Sequence, residues 1–217
     1  MIASRAALRA RQRLPKGRHP LTRQAVASSQ RARLLAAMAQ TVAEKGFAAT
    51  TVADVVERAW VSRKTFYEMF PDKEACFLAA YDDGREFLLL RIRDALQDLP
   101  EGDWRARAKR SVQAYLEALA ERPEAAWTYS IEVFAAGSKA LERHAQIMQH
   151  WVTQWRRLQQ SARLTKPATS EHGELRLRAL VGGIEELVRE CLRSRGAKHL
   201  PALAAPIAVI AVAAIGG

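Results

Sequence analysis

Residues 51–75, TVADVVERAWVSRKTFYEMFPDKEA, decide how the rest of the chain is read. Val52, Val55, Val56 and Ala59 recur at helical spacing behind Thr51, and Asp54 at the third helical position completes a capping box. The pattern stops near Trp60. Ser62 then caps a second short helix in which Phe66 and Phe70 point one way and Arg63, Lys64 and Tyr67 are left on the other. Pro71 terminates that helix and Asp72 caps the next. Upstream, helix can begin at about Thr22, with Leu34, Leu35, Met38 and Val42 forming one apolar stripe before Gly46 stops it.

Charge is distributed unevenly around this segment. The 217 residues carry 34 Lys and Arg against 23 Asp and Glu, a net charge of +11. Residues 1–33 hold much of the excess, in Arg5, Arg9, Arg11, Arg13, Lys16, Arg18, Arg23, Arg31 and Arg33, with no acid among them. A basic end on a nearly balanced chain is an electrostatic arm for a polyanion, nucleic acid before an anionic membrane surface. The plain alternative is solubilising disorder. The start of the chain has no apolar run of the secretory kind, and no export is expected. Cys76 and Cys191 lie far apart inside apolar helical patterns, as reduced core residues in a cytoplasmic protein rather than a disulfide.

Working outward, the 3.6-residue period recurs almost throughout and no window sustains strand alternation, so the fold class is all-α with about nine helices. Residues 1–21 read as a flexible basic arm, 22–71 as a compact three-helix unit, and 72–217 as a larger helical domain. In the larger domain helices are expected over Asp72 to about Leu96, from the Asp103 cap to Glu121, and from Pro123 to Gly137. Further helices run from Ser138 to about Ala162, from Glu171 to Ser194 and from Leu200 to Ile215, with a loop at Thr165 to Ser170. The stretch from Leu200 is uncharged, yet it is short for a membrane span and broken by Pro201 and Pro206, so a buried helix and no membrane contact are expected.

The three short helices match a helix-turn-helix whose third helix enters the major groove of double-stranded DNA. Arg63 and Lys64 follow the Ser62 cap, where guanine O6 and N7 come within reach, and Thr65 can meet a thymine methyl or a phosphate. Tyr67, Lys73 and Thr51 are placed for phosphates. The default reading of any such basic pair is a solvated helix face. Here the resemblance becomes specific. Thr51-Val52-Ala53-Asp54-Val55-Val56 and the run Val61 to Ala75 resemble the signature of the TetR (tetracycline-repressor) family, over roughly residues 30–78.

That resemblance implies an N-terminal operator-binding unit, a divergent helical remainder enclosing an apolar ligand pocket, and a homodimer built on the last two helices. It implies DNA contacts at Thr51, Ser62, Arg63, Lys64, Thr65, Tyr67 and Lys73, and most often repression of a palindromic operator relieved by a small molecule. One departure stands out: the family pattern carries Gly in the turn where this chain has Trp60, and a bulky residue is strained at positive φ.

Candidate pocket residues are Phe87, Trp104, Tyr115, Trp127, Tyr129, Phe134, Trp151 and Trp155, each of which could equally be core. Leu177, Leu180, Ile184, Leu187, Val188 and Cys191 form a stripe beside Gly182-Gly183 expected at the dimer interface. No cofactor or metal is expected, since His144 and His150 are six residues apart on one helix and lack nearby Cys. No Ser-His-acid set, phosphate loop or carboxylate pair appears in register, so the chain is not expected to be an enzyme. The competing reading is a DNA-binding activator or protein-gated repressor without a small-molecule effector.

Overall fold

The structure, a computed structural model, describes residues 22–161 and 171–216. The expected basic arm and the loop at 165–170 lie outside the described residues. Among those described, there are nine α-helices and no strand: α1 (Arg23–Ala49), α2 (Val52–Ala59), α3 (Arg63–Met69), α4 (Lys73–Leu96), α5 (Trp104–Glu121), α6 (Pro123–Ser130), α7 (Ser138–Ser161), α8 (Glu171–Ser194) and α9 (Ala204–Gly216). Short 3₁₀ helices at Glu132–Ala135 and Ala197–Leu203 replace α-helix where longer helices were expected. The second contains Pro201, which has no amide to donate to a regular helix.

The chain divides into two compact units, Met1–Tyr81 and Asp82–Gly217. The division falls within α4 rather than at the Pro71–Asp72 junction where the sequence pattern changes. The reason is packing: Cys76, Phe77, Ala80 and Tyr81 are buried, and the Phe77 ring meets Phe47 edge-on at 5.0 Å, so the first turns of α4 complete the core of the first unit.

That core is Leu34, Met38, Val42, Val55, Phe66 and Phe77, all fully buried. The helix starts are capped as the residue types dictate. Thr51 accepts from the Asp54 amide at 3.2 Å while Asp54 accepts from the Thr51 amide at 2.8 Å, and Ser62 accepts from the Thr65 amide at 3.0 Å. Asp72 accepts from the Ala75 amide at 2.7 Å. Burial pushes the Cys76 thiol up to about 12, against the pull of Arg31, which leaves it without thiolate character near neutrality.

The turn between α2 and α3 is the strained part of the unit. Trp60 has φ +53° and ψ +46°, the one non-glycine residue with positive φ among those described. Its backbone closes the end of α2, with the Trp60 amide donating to Glu57 at 3.1 Å and the Val61 amide to Val56 at 3.1 Å. From α1, Arg33 donates to the carbonyls of Ala59 and Trp60 at 3.0 and 3.2 Å. The left-handed geometry is thus over-determined by three hydrogen-bonded elements, and it persists although the Trp60 side chain is 71% exposed.

In the second unit α5 packs against α9 and the neighbouring 3₁₀ helix, and α7 packs against α8. Leu116, Val188, Leu200, Ile207 and Ala211 form the middle of the core. Gly84 allows α4 to lie close to α6, since a Cβ there would stand 2.8 Å from the Tyr129 ring. One charged side chain is carried into the interior: Glu185 on α8 is 7% exposed, and burial pushes its carboxyl up to about 7 despite the opposing pull of Arg189.

Two outcomes follow. Trp60→Gly removes the steric cost of the left-handed turn and raises the stability of the protein by about 1 kcal/mol in denaturant titrations; a loss of stability would mean that the exposed indole contributes packing. For Glu185, the folded-state value lies above the ordinary 4.5, so the folded protein holds a proton that the unfolded chain releases. Stability is therefore lost as pH rises from about 4.5 through 7, by about 3 kcal/mol in all. Glu185→Gln abolishes that part of the slope in melts between pH 5 and pH 8, and an unchanged slope would show that the carboxyl is not titrating there.

Candidate nucleic-acid interface and ligand cavity

Side chains at the start of α3 are set by the Ser62 cap and by the burial of Phe66. With Phe66 in the core and Phe70 packed behind it, helical register turns Arg63, Lys64 and Tyr67 outward, and all three are exposed. Among the described residues, none forms an ion pair or hydrogen bond with Arg63 or Lys64. Neighbouring cations of this unit are engaged. Lys45 pairs with Asp54 at 2.8 Å, and Arg58 pairs with Glu44. The Lys45 ammonium and then the Thr51 hydroxyl hold the Asp54 carboxyl well below the usual carboxylate range. Arg31 lies over the Phe70 ring at 5.2 Å.

Of the other residues expected at this surface, Thr51, Ser62 and Thr65 sit together at the starts of α2 and α3. Their hydroxyls are already shared: Thr51 with Asp54 at 2.7 Å, and Ser62 with Thr65 at 2.9 Å. Tyr67 is 55% exposed, its ring edge-on to Phe66 at 5.4 Å. Lys73 is placed differently from the expectation of a phosphate contact. Its ammonium donates to the carbonyls of Phe47, Ala48 and Thr50 at 3.0, 3.2 and 2.9 Å, and lies 4.6 Å from the centre of the Phe47 ring. Three donors are thereby committed to the carbonyls that end α1, so in this geometry Lys73 ties α4 to α1 and has no donor to spare for a phosphate.

The second unit encloses a cavity of about 770 Å³ between α4, α5, α7 and α8. Leu89, Ile92 and Leu96, then Val112 and Tyr115, Trp151, Trp155 and Leu158, and Val181 and Ile184 supply its apolar wall, and Glu185 joins them from α8. Leu99 and the polar residues Arg93, Gln97, Glu101, Arg107, Ser111, Gln154, Arg157 and Ser161 complete the lining. A volume of this size suits a drug-sized apolar molecule.

Three of the eight aromatic residues expected here, Tyr115, Trp151 and Trp155, line the cavity, and Tyr115 and Trp151 meet edge-on at 5.8 Å. The other five do not line it. Trp104 is buried with Ala108 and Ile215, and Trp127 packs on the main core. Tyr129 lies against Gly84, Phe87 sits beneath the Arg122 guanidinium at 3.6 Å, and Phe134 is half exposed against His144 and Arg189. The apolar residues of α4 were legible in principle, since Leu89, Ile92 and Leu96 follow helical spacing. Glu185 was also marked, as a lone acid in the buried run Val181, Val188 and Leu192.

The stripe expected to meet a partner chain is instead core. Leu177, Leu180, Val188 and Cys191 are buried within this chain, and Ile184 and Leu187 pack partly against the same interior. The four buried side chains have little surface left for a second molecule. The opposite face of α8 exposes Leu175, Ala179, Gly182 and Gly183, with nothing within 4 Å of a Cβ built at either glycine. On α9, Ile207, Ala208, Ala211 and Ile215 are buried while Val209, Ile210 and Ala213 are exposed, so the helix expected to be buried is covered on one side only. Ala197–Gly216 is long and apolar enough to cross a membrane, a test that a core helix also passes.

Residues 34–80 match the model of the family described as bacterial regulatory proteins, tetR family. The HTH-type transcriptional regulator EthR of Mycolicibacterium smegmatis is 27% identical over 139 residues, which is 64% of this chain and 59% of that relative. The match thus spans about three fifths of the relative's length. Among solved structures, the fatty acid degradation regulator FadR from Bacillus halodurans superposes with a TM-score of 0.72 at 18% identity, covering 93% of this chain and 98% of its own. FadR from Bacillus subtilis, in complex with stearoyl-CoA, gives a TM-score of 0.69 at 13% identity, covering 84% and 97%. At such identities these structures speak to the fold alone. The family match lies on the helix-turn-helix built by Thr51, Ser62 and their neighbours, which is the part of the chain similar to the tetR family of bacterial regulatory proteins.

Proposed function

We propose that this chain is a sequence-specific, DNA-binding transcription regulator that acts as a homodimer in the cytoplasm. In this reading it represses from a palindromic operator and is released when an apolar or aromatic small molecule occupies the second unit; no catalytic role belongs to it. The observation that carries the reading is the exposed start of α3, where Arg63 and Lys64 stand uncommitted behind the Ser62 cap while neighbouring cations are engaged. Only donors without internal partners can be given to base edges without breaking the fold. The basic residues before position 22 add sequence-independent attraction to phosphates.

Effector control is supported by the 770 Å³ cavity and by the stearoyl-CoA complex of one fold neighbour. A ligand acts here by population shift, and can move the equilibrium only by its differential affinity for the DNA-competent and incompetent states. Dimerisation is supported by the exposed apolar faces of α8 and α9, with Gly182 and Gly183 leaving room for a partner helix to approach.

Selection from a random duplex library, followed by titration of the selected site, tests the DNA reading. Arg63→Ala costs about 1–3 kcal/mol at that site and relaxes one base position, with binding to random DNA nearly unchanged; equal losses on both would reduce Arg63 to a phosphate contact. Dimerisation is checked by sedimentation at micromolar concentration. Ile210→Glu places a charge on the exposed face of α9 and yields folded monomer, whereas an intact dimer would put the interface elsewhere.

A further inference from the structure

Among the charged groups that line the cavity, Glu185 alone is buried. Glu185 occupies the α8 position between Val181 and Val188, both buried, so helical register carries its side chain into the cavity wall instead of toward water. None of the described residues donates a hydrogen bond to it. Its ion-pair partner, Arg189, stands 3.7 Å away and is shared, donating also to Glu186 at 2.7 and 2.9 Å and lying 5.1 Å from the centre of the Phe134 ring. A buried carboxylate that receives no hydrogen bond and only one long, shared ion pair is destabilising unless something completes it.

We propose that the effector of this cavity is a hydrophobic amine, whose ammonium group pairs with Glu185 while its apolar body lies against Tyr115, Trp151 and Trp155. The inference rests on reading the second unit as the effector-binding part. An ammonium brings three donors and a second positive charge, and the faces of Tyr and Trp rings attract cations as well as apolar surface. The elevation of the Glu185 carboxyl to about 7 accords with this, because it reflects burial that the pull of Arg189 does not offset. The arginines of the cavity do not favour an anion as strongly. Arg107 donates to the carbonyls of Leu96 and Leu99 at 3.4 and 2.9 Å, and Arg93 and Arg157 are exposed, where salt screens them.

The test compares three probes that share one chain and differ in the head group: decylamine, decanol and decanoate. Each is titrated calorimetrically into the full-length protein at pH 7.5, without DNA. The expected result is that decylamine binds at least tenfold more tightly than either of the others. In Glu185→Gln the amine loses at least tenfold while decanol changes by less than twofold. The ranking on the native chain stands by itself if that variant fails to fold. Decanoate binding as tightly as the amine, no discrimination among the three, no binding of any of them, or an amine preference that survives in Glu185→Gln each overturns the proposal. Library selection of DNA is scored separately. An amine preference without a selected site supports this inference and removes the regulatory reading; a selected site without an amine preference does the reverse.

Discussion

The first unit depends on a left-handed backbone at Trp60, because the direction in which α3 leaves α2 is set by the two dihedrals of that residue. A tryptophan does not choose such a conformation by itself, and its exposed ring does little to hold it there. The surroundings impose it: the α2 carbonyls of Val56 and Glu57 take the amides of the turn, and Arg33 from α1 takes the carbonyls of Ala59 and Trp60. Two helices therefore agree on one geometry before Ser62 begins the next. Strain at a single residue is tolerated because many bonds would have to break to relieve it.

The same economy of polar groups recurs at Lys73. Helix ends leave carbonyls without partners, and α1 ends at an interrupted stretch in which Gly46 has φ +78°. The Lys73 ammonium takes three of the carbonyls at that end and also rests on the Phe47 ring. A residue type that favours DNA contact on a surface becomes a structural tie once its donors are spent internally. Near the start of α3, Arg63 and Lys64 have no such partner among the described residues, and that freedom is as informative as their position.

The second unit shows the converse case. Most of its interior obeys the rule that charge stays outside, and Glu185 breaks it in the wall of the cavity. Since α8 must present Val181, Val188 and Leu192 to the core, a residue in register between them has no route to solvent. The cost of holding Glu185 there is the physical reason for assigning it a role in recognition.

Composition, helical period and caps were sufficient to read the all-α class, the starts of α2, α3, α4 and α5, and the outward face of α3. These are local properties: a cap bonds three residues ahead, and a helix face repeats every three or four. The roles of Lys73, the α8 stripe and five of the eight candidate aromatics were settled only by tertiary structure. In each case the residue type was compatible with surface and interior alike. Which face of an amphipathic helix is covered, and by what, depends on partners distant in sequence: Lys73 meets carbonyls 23 to 26 positions away, and the α8 stripe meets α5 and the 3₁₀ helix beyond Gly196. No local pattern encodes those distances, because packing is decided by how whole helices fit together.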